Sequence, residues 1–260
     1  MKIENMSITE IREYLLRQEA VSASVLKQLL ADQRKGVVEL ARQLTQRQER
    51  QAKLAAKWEE MTQYERACRQ QGKNIVVGID EVGRGPLAGP VVAAAVALKE
   101  DFYLPGLDDS KKVPEAMRQA FYEVIMREAQ YVGIGIVSAE RIDEINILEA
   151  TREAMRHAVF EAGTRPDICL IDAVQIPDFP FEQQAIIGGD GKSVSIAAAS
   201  IVAKVTRDRL MAEYSLLYPE YGFEKNAGYG TEEHLRALRL VGPSPIHRRT
   251  FGAVKELAAQ

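Results

Sequence analysis

Asp80 and Glu81 stand side by side at the end of an apolar run, Ile75-Val76-Val77-Gly78-Ile79, and lead into Val82-Gly83-Arg84-Gly85-Pro86. An isolated Asp-Glu pair is ordinarily solvated in a turn. Here two further acids close other apolar runs: Asp172 ends Ile168-Cys169-Leu170-Ile171, and Asp190 follows Ala185-Ile186-Ile187-Gly188-Gly189. Carboxylates gathered in a dry site repel one another unless a cation compensates them. Oxygen ligands without a Cys/His cluster select hard ions, Mg²⁺ or Mn²⁺, over zinc. Two such ions about 3.5–4 Å apart form the usual clamp for in-line displacement at phosphorus. Asp80, Glu81, Asp172 and Asp190 are therefore the candidate metal ligands and catalytic groups.

Other segments carry weaker signals. The glycines of Gly83-Arg84-Gly85 let backbone approach a ligand closely, because they lack a Cβ. Asp109-Ser110-Lys111-Lys112 sits in a polar loop, and Lys204-Val205-Thr206-Arg207-Asp208 follows Asp190 on a helical stretch. Taken alone, each reads as a solvated charge run as readily as a phosphate site. Gly228-Tyr229-Gly230-Thr231 sets an aromatic ring between glycines ahead of a helix, where it could stack on a flat ligand or simply pack in its loop. Gly191-Lys192-Ser193 fails as a phosphate-binding P-loop, since Ile186 stands where that motif needs its first glycine. Gly83-Arg84-Gly85 fails as a dinucleotide fingerprint, since the next glycine, Gly89, comes one residue late. His157, His234 and His247 are scattered without metal-ligand spacing, and nothing suggests a Ser-His-Asp or Cys-His hydrolase.

The acids need strands to deliver them to one rim, because ligands of open α/β sheets lie beyond the carboxyl ends of the strands. Ile75–Asp80 and Val91–Leu98 read as strands joined by the tight Gly83–Pro90 segment, hence as antiparallel neighbours. Pro114–Ala129 reads as a helix with proline at its start. Tyr131–Val137 is a third strand, Ser138–Ile145 and Ile147–Ala162 are helices, and two more strands end at Asp172 and near Ile187. A helix over Ser193–Tyr214, a Gly/Tyr-rich loop over Tyr221–Tyr229, a short helix from Thr231 and a last one after Phe251 complete the pattern. The fold class is α/β, a mixed five-stranded sheet flanked by helices.

Residues 1–72 show no strand and read as a small all-helical extension. Ser7 and Glu10 form a capping-box signature ahead of Ile8, Ile11 and Leu15. A second helix carries Val25, Leu26, Leu29 and Leu30, Gly36 is expected to break the pattern, and a long helix runs from about Val37 past Met61. Trp58 and Tyr64 fall at spacings that face a neighbouring helix, which suits packing better than base stacking. Gln71-Gly72-Lys73-Asn74 is the expected linker to a domain over 73–260. The 260 residues carry a net charge of −3, unevenly spread: residues 1–74 hold 14 Lys and Arg against 10 Asp and Glu, residues 75–260 hold 20 against 27. The basic extension could attract phosphate or be a solvated helical surface. Met1-Lys2-Ile3-Glu4-Asn5 has no apolar targeting core, and no apolar run approaches the ~18 residues of a membrane span. Two cysteines, Cys68 and Cys169, make no disulfide framework. The expected setting is the cytoplasm, without membrane contact.

Together these segments resemble the type 2 ribonucleases H, and within them bacterial ribonuclease HII. The resemblance rests on Gly78 through Val91, Asp109-Ser110-Lys111-Lys112, Asn146-Ile147-Leu148, Leu170-Ile171-Asp172, Ala197-Ala198-Ala199-Ser200-Ile201, Ala203 through Asp208, Gly228-Tyr229-Gly230-Thr231 and Ile246-His247-Arg248-Arg249-Thr250-Phe251, in the family's order. Departures are small: Gly191 where alanine is common, and Val113 where leucine is usual. The N-terminal extension is similar to one seen in some Gram-positive members. The resemblance implies a ribonuclease H-like fold and four metal-binding acids at Asp80, Glu81, Asp172 and Asp190, holding two Mn²⁺ or Mg²⁺ ions. It implies that Gly83, Arg84 and Gly85 recognise a ribose 2′-hydroxyl through backbone groups, and that Tyr229 packs on the following deoxyribose. Ser110, Lys111 and Lys204 become phosphate contacts. The implied activity is hydrolysis of the RNA strand of RNA–DNA hybrids and cutting 5′ of a single ribonucleotide in duplex DNA, leaving 3′-hydroxyl and 5′-phosphate ends. A monomer is expected, with no replication partner indicated.

Overall fold

The computed structural model describes residues 6–16 and 21–258; the Met1–Asn5 stretch lies outside the described residues. The chain divides into two compact units, Met1–Lys57 and Trp58–Gln260.

In the first unit, helices α1 (Ile8–Leu16), α2 (Ala23–Leu30) and most of α3 (Lys35–Met61) enclose Ile11, Leu15, Leu29, Val37 and Ala41. The capping box forms: Ser7 N–H donates to Glu10 Oε2 at 2.7 Å, and Glu10 N–H to Ser7 Oγ at 3.2 Å. Gly36 does not break the chain's helical path; it lies in the first turn of α3, where glycine's helix penalty is small because that turn is only partly hydrogen-bonded.

The second unit is built on a five-stranded sheet ordered β3-β2-β1-β4-β5. Its strands are β1 (Val76–Val82), β2 (Val91–Ala97), β3 (Tyr131–Val137), β4 (Ile168–Asp172) and β5 (Gln183–Ile186). β1 pairs antiparallel with β2 and parallel with β4, so the expected mixed sheet is observed. Every residue of β2 is buried, because helices cover both faces of the sheet. Val92, Ala94 and Val96 pack toward α5 (Glu115–Glu128) and α7 (Val194–Leu217); Val91, Ala93 and Ala95 pack toward α6 (Ala139–Glu161). Such strands read as continuous apolar runs. α7 crosses β1 so closely that a Cβ on Gly78 would lie 2.0 Å from the Ser195 carbonyl carbon. α6 is broken at Asn146 (φ 69°), whose Oδ1 accepts from Leu148 N–H at 2.9 Å, so the two expected helices are present and meet at a kink. The remaining helices are α8 (Phe223–Asn226), α9 (Glu232–Val241) and α10 (Gly252–Ala258). Among the described residues no helix is long and apolar enough to cross a membrane.

The division at 57/58 falls before the linker expected at 71–74, because the intervening residues belong to the second unit's core. Trp58 is 5 % exposed and packs edge-on to Tyr103 at 5.5 Å. In α4 (Gln63–Gln70), Cys68 packs with Val76 and Ile168, and buried Glu65 accepts from Ser195 N–H at 3.0 Å at the start of α7. Removing residues 1–50, which leaves about two turns of α3 ahead of Trp58, should therefore give a second unit that melts cooperatively near the full-length temperature. Removing 1–72 strips out Trp58, Met61, Glu65 and Cys68. Losing a buried tryptophan alone costs about 3–5 kcal/mol, so that protein should melt far lower or fail to fold. Thermal denaturation followed by circular dichroism checks both; equal midpoints would contradict the division.

Candidate active site

β1 carries both Asp80 and Glu81 within its length, beside the end of β4 that carries Asp172. Asp190 lies beyond β5, on the single 3₁₀ turn Gly189–Gly191, entered through Gly188 at φ 65°. That turn is bound to β4: Gly189 N–H donates to Asp172 Oδ1 at 2.7 Å. Parallel pairing of β4 with β1 and β5 thus sets three strand ends in one row.

Asp80 is 5 % exposed, and its Oδ1 accepts from Glu81 N–H at 2.8 Å. Burial first, then Glu81 and Asp172, hold its carboxyl well above the usual carboxylate range, with the Ser200 hydroxyl pulling the other way. Burial also raises Glu81, while Arg84 lowers it and Asp172 raises it. Glu81 Oε1 lies 3.3 Å from Arg84 Nη1, whereas its Oε2 is buried without a hydrogen-bond partner. Asp190 is raised by burial, then by Asp109 and Asp172, with Lys111 opposing. The electrostatic couplings run from Asp80 and Glu81 through Asp172 to Asp190, so the four expected acids share one site.

The donor set suits a hard divalent cation. Every donor is an oxygen, Asp80 is shielded from water, and Glu81 Oε2 is aimed at nothing. Among the described residues, no three His, Cys, Asp or Glu converge closely enough to hold an ion unaided. Magnesium commonly completes its shell with waters and substrate phosphate around one or two carboxylates, so the site does not need three converging protein ligands.

The expected substrate residues fall in three places. Gly83 (φ 92°), Arg84 and Gly85 follow β1 directly, and Arg84 is well exposed. Tyr229, 49 % exposed, lies against that loop: a Cβ on Gly85 would meet Tyr229 Cε1 at 3.7 Å. Ser110 is buried rather than presented, with its Oγ 3.0 Å from that of Ser200, so it reaches the acids through Ser200. Lys111 acts electrostatically on Asp190. Lys204 is paired with Asp208 at 2.6 Å one turn along α7.

Several residues important to this arrangement have no role assigned from the sequence. Asp109 lies near enough to Asp190 to raise its carboxyl, a fifth acid at the site. Arg248 is fully buried and donates to the carbonyls of Gly83, Arg84 (2.9 Å) and Gly89 (3.0 Å). Arg207, also buried, donates to Pro90 O at 2.9 Å, Ala227 O at 2.8 Å and Ala88 O at 3.1 Å. Burial pulls these guanidiniums down to about 9 and about 10. His234 and His247, far from scattered, meet Nε2 to Nε2 at 2.9 Å.

The sequence pattern for ribonuclease HII matches residues 77–254, and that for the ribonuclease HII N-terminal domain matches residues 7–69. The chain belongs to the ribonuclease HII family. The family's Bacillus licheniformis member is 49 % identical over 97 % of this chain and 99 % of its own length. The solved ribonuclease H2 of Pyrococcus horikoshii superposes with a TM-score of 0.60 at 25 % identity, covering 71 % of this chain and 97 % of that one. Bst-RNase HIII, solved in complex with Mn²⁺, shares the fold at a TM-score of 0.60 and 19 % identity, covering 74 % of this chain and 72 % of its own. Membership makes this chain a ribonuclease H enzyme.

Proposed function

We propose that this enzyme hydrolyses the RNA strand of RNA–DNA hybrids and cuts 5′ of single ribonucleotides embedded in duplex DNA, leaving 3′-hydroxyl and 5′-phosphate ends. The observation that carries the reading is one juxtaposition: the glycine-arginine-glycine loop leaves β1 immediately after the acid pair and lies against the Tyr229 ring. A ribose held on that loop has its 5′ phosphate within reach of the acids.

Asp80, Glu81, Asp172 and Asp190 would hold divalent Mg²⁺ or Mn²⁺, which when bound would activate water and stabilise charge at the phosphate. The chain's own groups do the selecting. Arg248 draws the Gly83 and Arg84 carbonyls inward, which turns the opposite edges of those peptides, with their N–H groups, toward the ligand side. The 2′-hydroxyl, both donor and acceptor, is what marks RNA at such a site. The exposed ring of Tyr229 would stack on the next sugar, and Lys111 would offset phosphate charge near Asp190. Lys204 would join only by giving up Asp208.

Duplex DNA with one ribonucleotide should be cut once, 5′ of it, in Mg²⁺ or Mn²⁺; the all-DNA duplex and the EDTA reaction should give no product. Tyr229→Ala should lose far more activity on that substrate than on a long hybrid, and Tyr229→Phe, which keeps the ring, much less. Cutting of the all-DNA duplex would defeat the assignment, and equal losses on both substrates would remove Tyr229 from junction reading.

A further inference from the structure

The buried histidine pair forms a hydrogen-bonded chain with one direction. Ser244 N–H donates to His247 Nδ1 at 2.9 Å, so that nitrogen is an acceptor and His247 carries its proton on Nε2. His234 Nδ1 lies 2.8 Å from the Tyr229 carbonyl, which only accepts, so His234 carries its proton on Nδ1. The contact between the rings, 2.9 Å, must then run from His247 Nε2–H to His234 Nε2. Both rings are neutral in this arrangement, and each has a single workable tautomer. A second proton on His234 would face the His247 N–H; one on His247 would face the Ser244 N–H and would find its acceptor in the Ser244 hydroxyl, 2.8 Å away, which must turn to take it.

The chain ends on the residue whose ring lies open to substrate, and it starts in the segment that holds the other reading loop. Residues 246–248 pair with 87–89: Gly89 N–H donates to Ile246 O at 2.8 Å and Arg248 N–H to Leu87 O at 2.8 Å. The side chain of Arg248 grips the Gly83 and Arg84 carbonyls. One short stretch, 244–248, is thereby tied to the ribose-reading loop through Arg248 and to the Tyr229 backbone through His247 and His234. The rings are locked in place by Tyr221 and Phe223, with Tyr221 4.8 Å from His247 and Phe223 5.3 Å from His234.

We infer that His234 and His247 are positioning residues for junction specificity, fixing the Tyr229 backbone so that its ring stands at a set distance from the Gly83–Gly85 loop. The inference rests on the proposed role of Tyr229. A long hybrid, in which no deoxyribose follows the ribose, makes little use of that distance, so the pair matters chiefly for single ribonucleotides. Burial holds both histidines below their usual range, His247 at about 4 with His234 adding to the effect. Tyr221, on the turn 219–221, is the titratable group that packs on both rings, and its hydroxyl donates to Gly242 O. Arg248, next to His247, directs its charge away to the loop carbonyls.

The test measures kcat/KM on the single-ribonucleotide duplex and on a long hybrid for wild type, His247→Gln, Tyr229→Ala and the double variant. Glutamine carries both amide atoms at the ε position, so an amide that reaches His234 has its oxygen displaced from the δ position at which His247 accepts from Ser244. His247→Gln should lose about tenfold on the single ribonucleotide, equivalent to about 1.4 kcal/mol, and much less on the hybrid. In the Tyr229→Ala background the same substitution should add nothing. If Tyr229→Ala is selective but His247→Gln lowers both substrates equally, or still acts in the double variant, the relay is overturned while the Tyr229 reading stands. If Tyr229→Ala itself is unselective, the reading fails and the relay with it. Should His247→Gln not fold, wild type decides. The ratio of the two activities cancels titration of the shared acids; it should hold steady near neutral pH and fall only as pH approaches and passes about 4, where folded His247 takes up its second proton. Tyr229→Ala should show a flat ratio, and a flat ratio in wild type overturns the relay.

Discussion

Asp80→Asn should abolish cleavage of both substrates while leaving a protein at least as heat-stable as the wild type when both are measured in EDTA. The loss should exceed about a hundredfold, since removing even an outer partner of a metal ligand costs about 10–100-fold. The stability half follows from the direction in which the site shifts Asp80. Its carboxyl is buried beside Glu81 and Asp172 and titrates above its unfolded value. The folded protein therefore binds that proton more tightly than the unfolded chain. Its stabilising contribution is full below the unfolded value of 3.8 and is lost as pH rises through the raised folded value. Asparagine carries no such titration, and its Oδ1 can still accept from Glu81 N–H. The two proteins should converge in melting temperature at low pH, with the variant drawing level or ahead toward neutral pH. Melts across that range and a cleavage assay decide it: wild-type turnover would remove Asp80 from the catalytic set, and a variant less stable at neutral pH would show that repulsion is not what burial of Asp80 costs.

What the sequence made legible, and what it hid, divides along the range of the interactions. The acid row could be read because apolar runs ending in Asp or Glu mark buried strands, and a parallel sheet aligns their ends. Even there Asp190 sits on a 3₁₀ turn past β5, a placement set by Gly189 N–H on Asp172. The role of Asp109 was hidden because its loop reads as solvated; in the structure the loop is anchored to α7 through Ser110 and Ser200, and Asp109 acts on Asp190. The roles of Arg207, Arg248 and the histidine pair were hidden for a stronger reason. Their contacts join residues 83–90, 227–229 and 246–248 through an isolated bridge and side chain-to-carbonyl bonds, and no local period announces those. The compact units part at 57/58, ahead of the linker at 71–74, because a polar helix such as α4 shows its few buried residues, Glu65 and Cys68, only against the sheet.

Gly83 shows how that hidden layer changes an expectation. From the sequence, a Cβ there should push the ribose outward. In the structure Gly83 has φ 92°, and the added carbon would point inward, 2.2 Å from Arg207 Nε and 2.7 Å from the Pro90 carbonyl oxygen. Arg207 cannot step aside freely, because its guanidinium holds Pro90, Ala88 and Ala227. Gly83→Ala should therefore damage the scaffold before it touches substrate. The positive φ alone costs about 1–3 kcal/mol for a residue with a side chain, and displacing a buried arginine leaves its carbonyl partners unpaired at about 1–3 kcal/mol each. The expected result is a markedly lower melting temperature, with activity lost on hybrid and single ribonucleotide alike. Gly85→Ala is the matching control: its Cβ would meet only Tyr229 Cε1, at an ordinary 3.7 Å. That variant should melt like wild type and lose activity chiefly on the single ribonucleotide, where the ring and the loop must close on one sugar pair. A Gly83→Ala protein with wild-type stability and a purely selective defect would return the effect to the ribose and show that Arg207 yields easily.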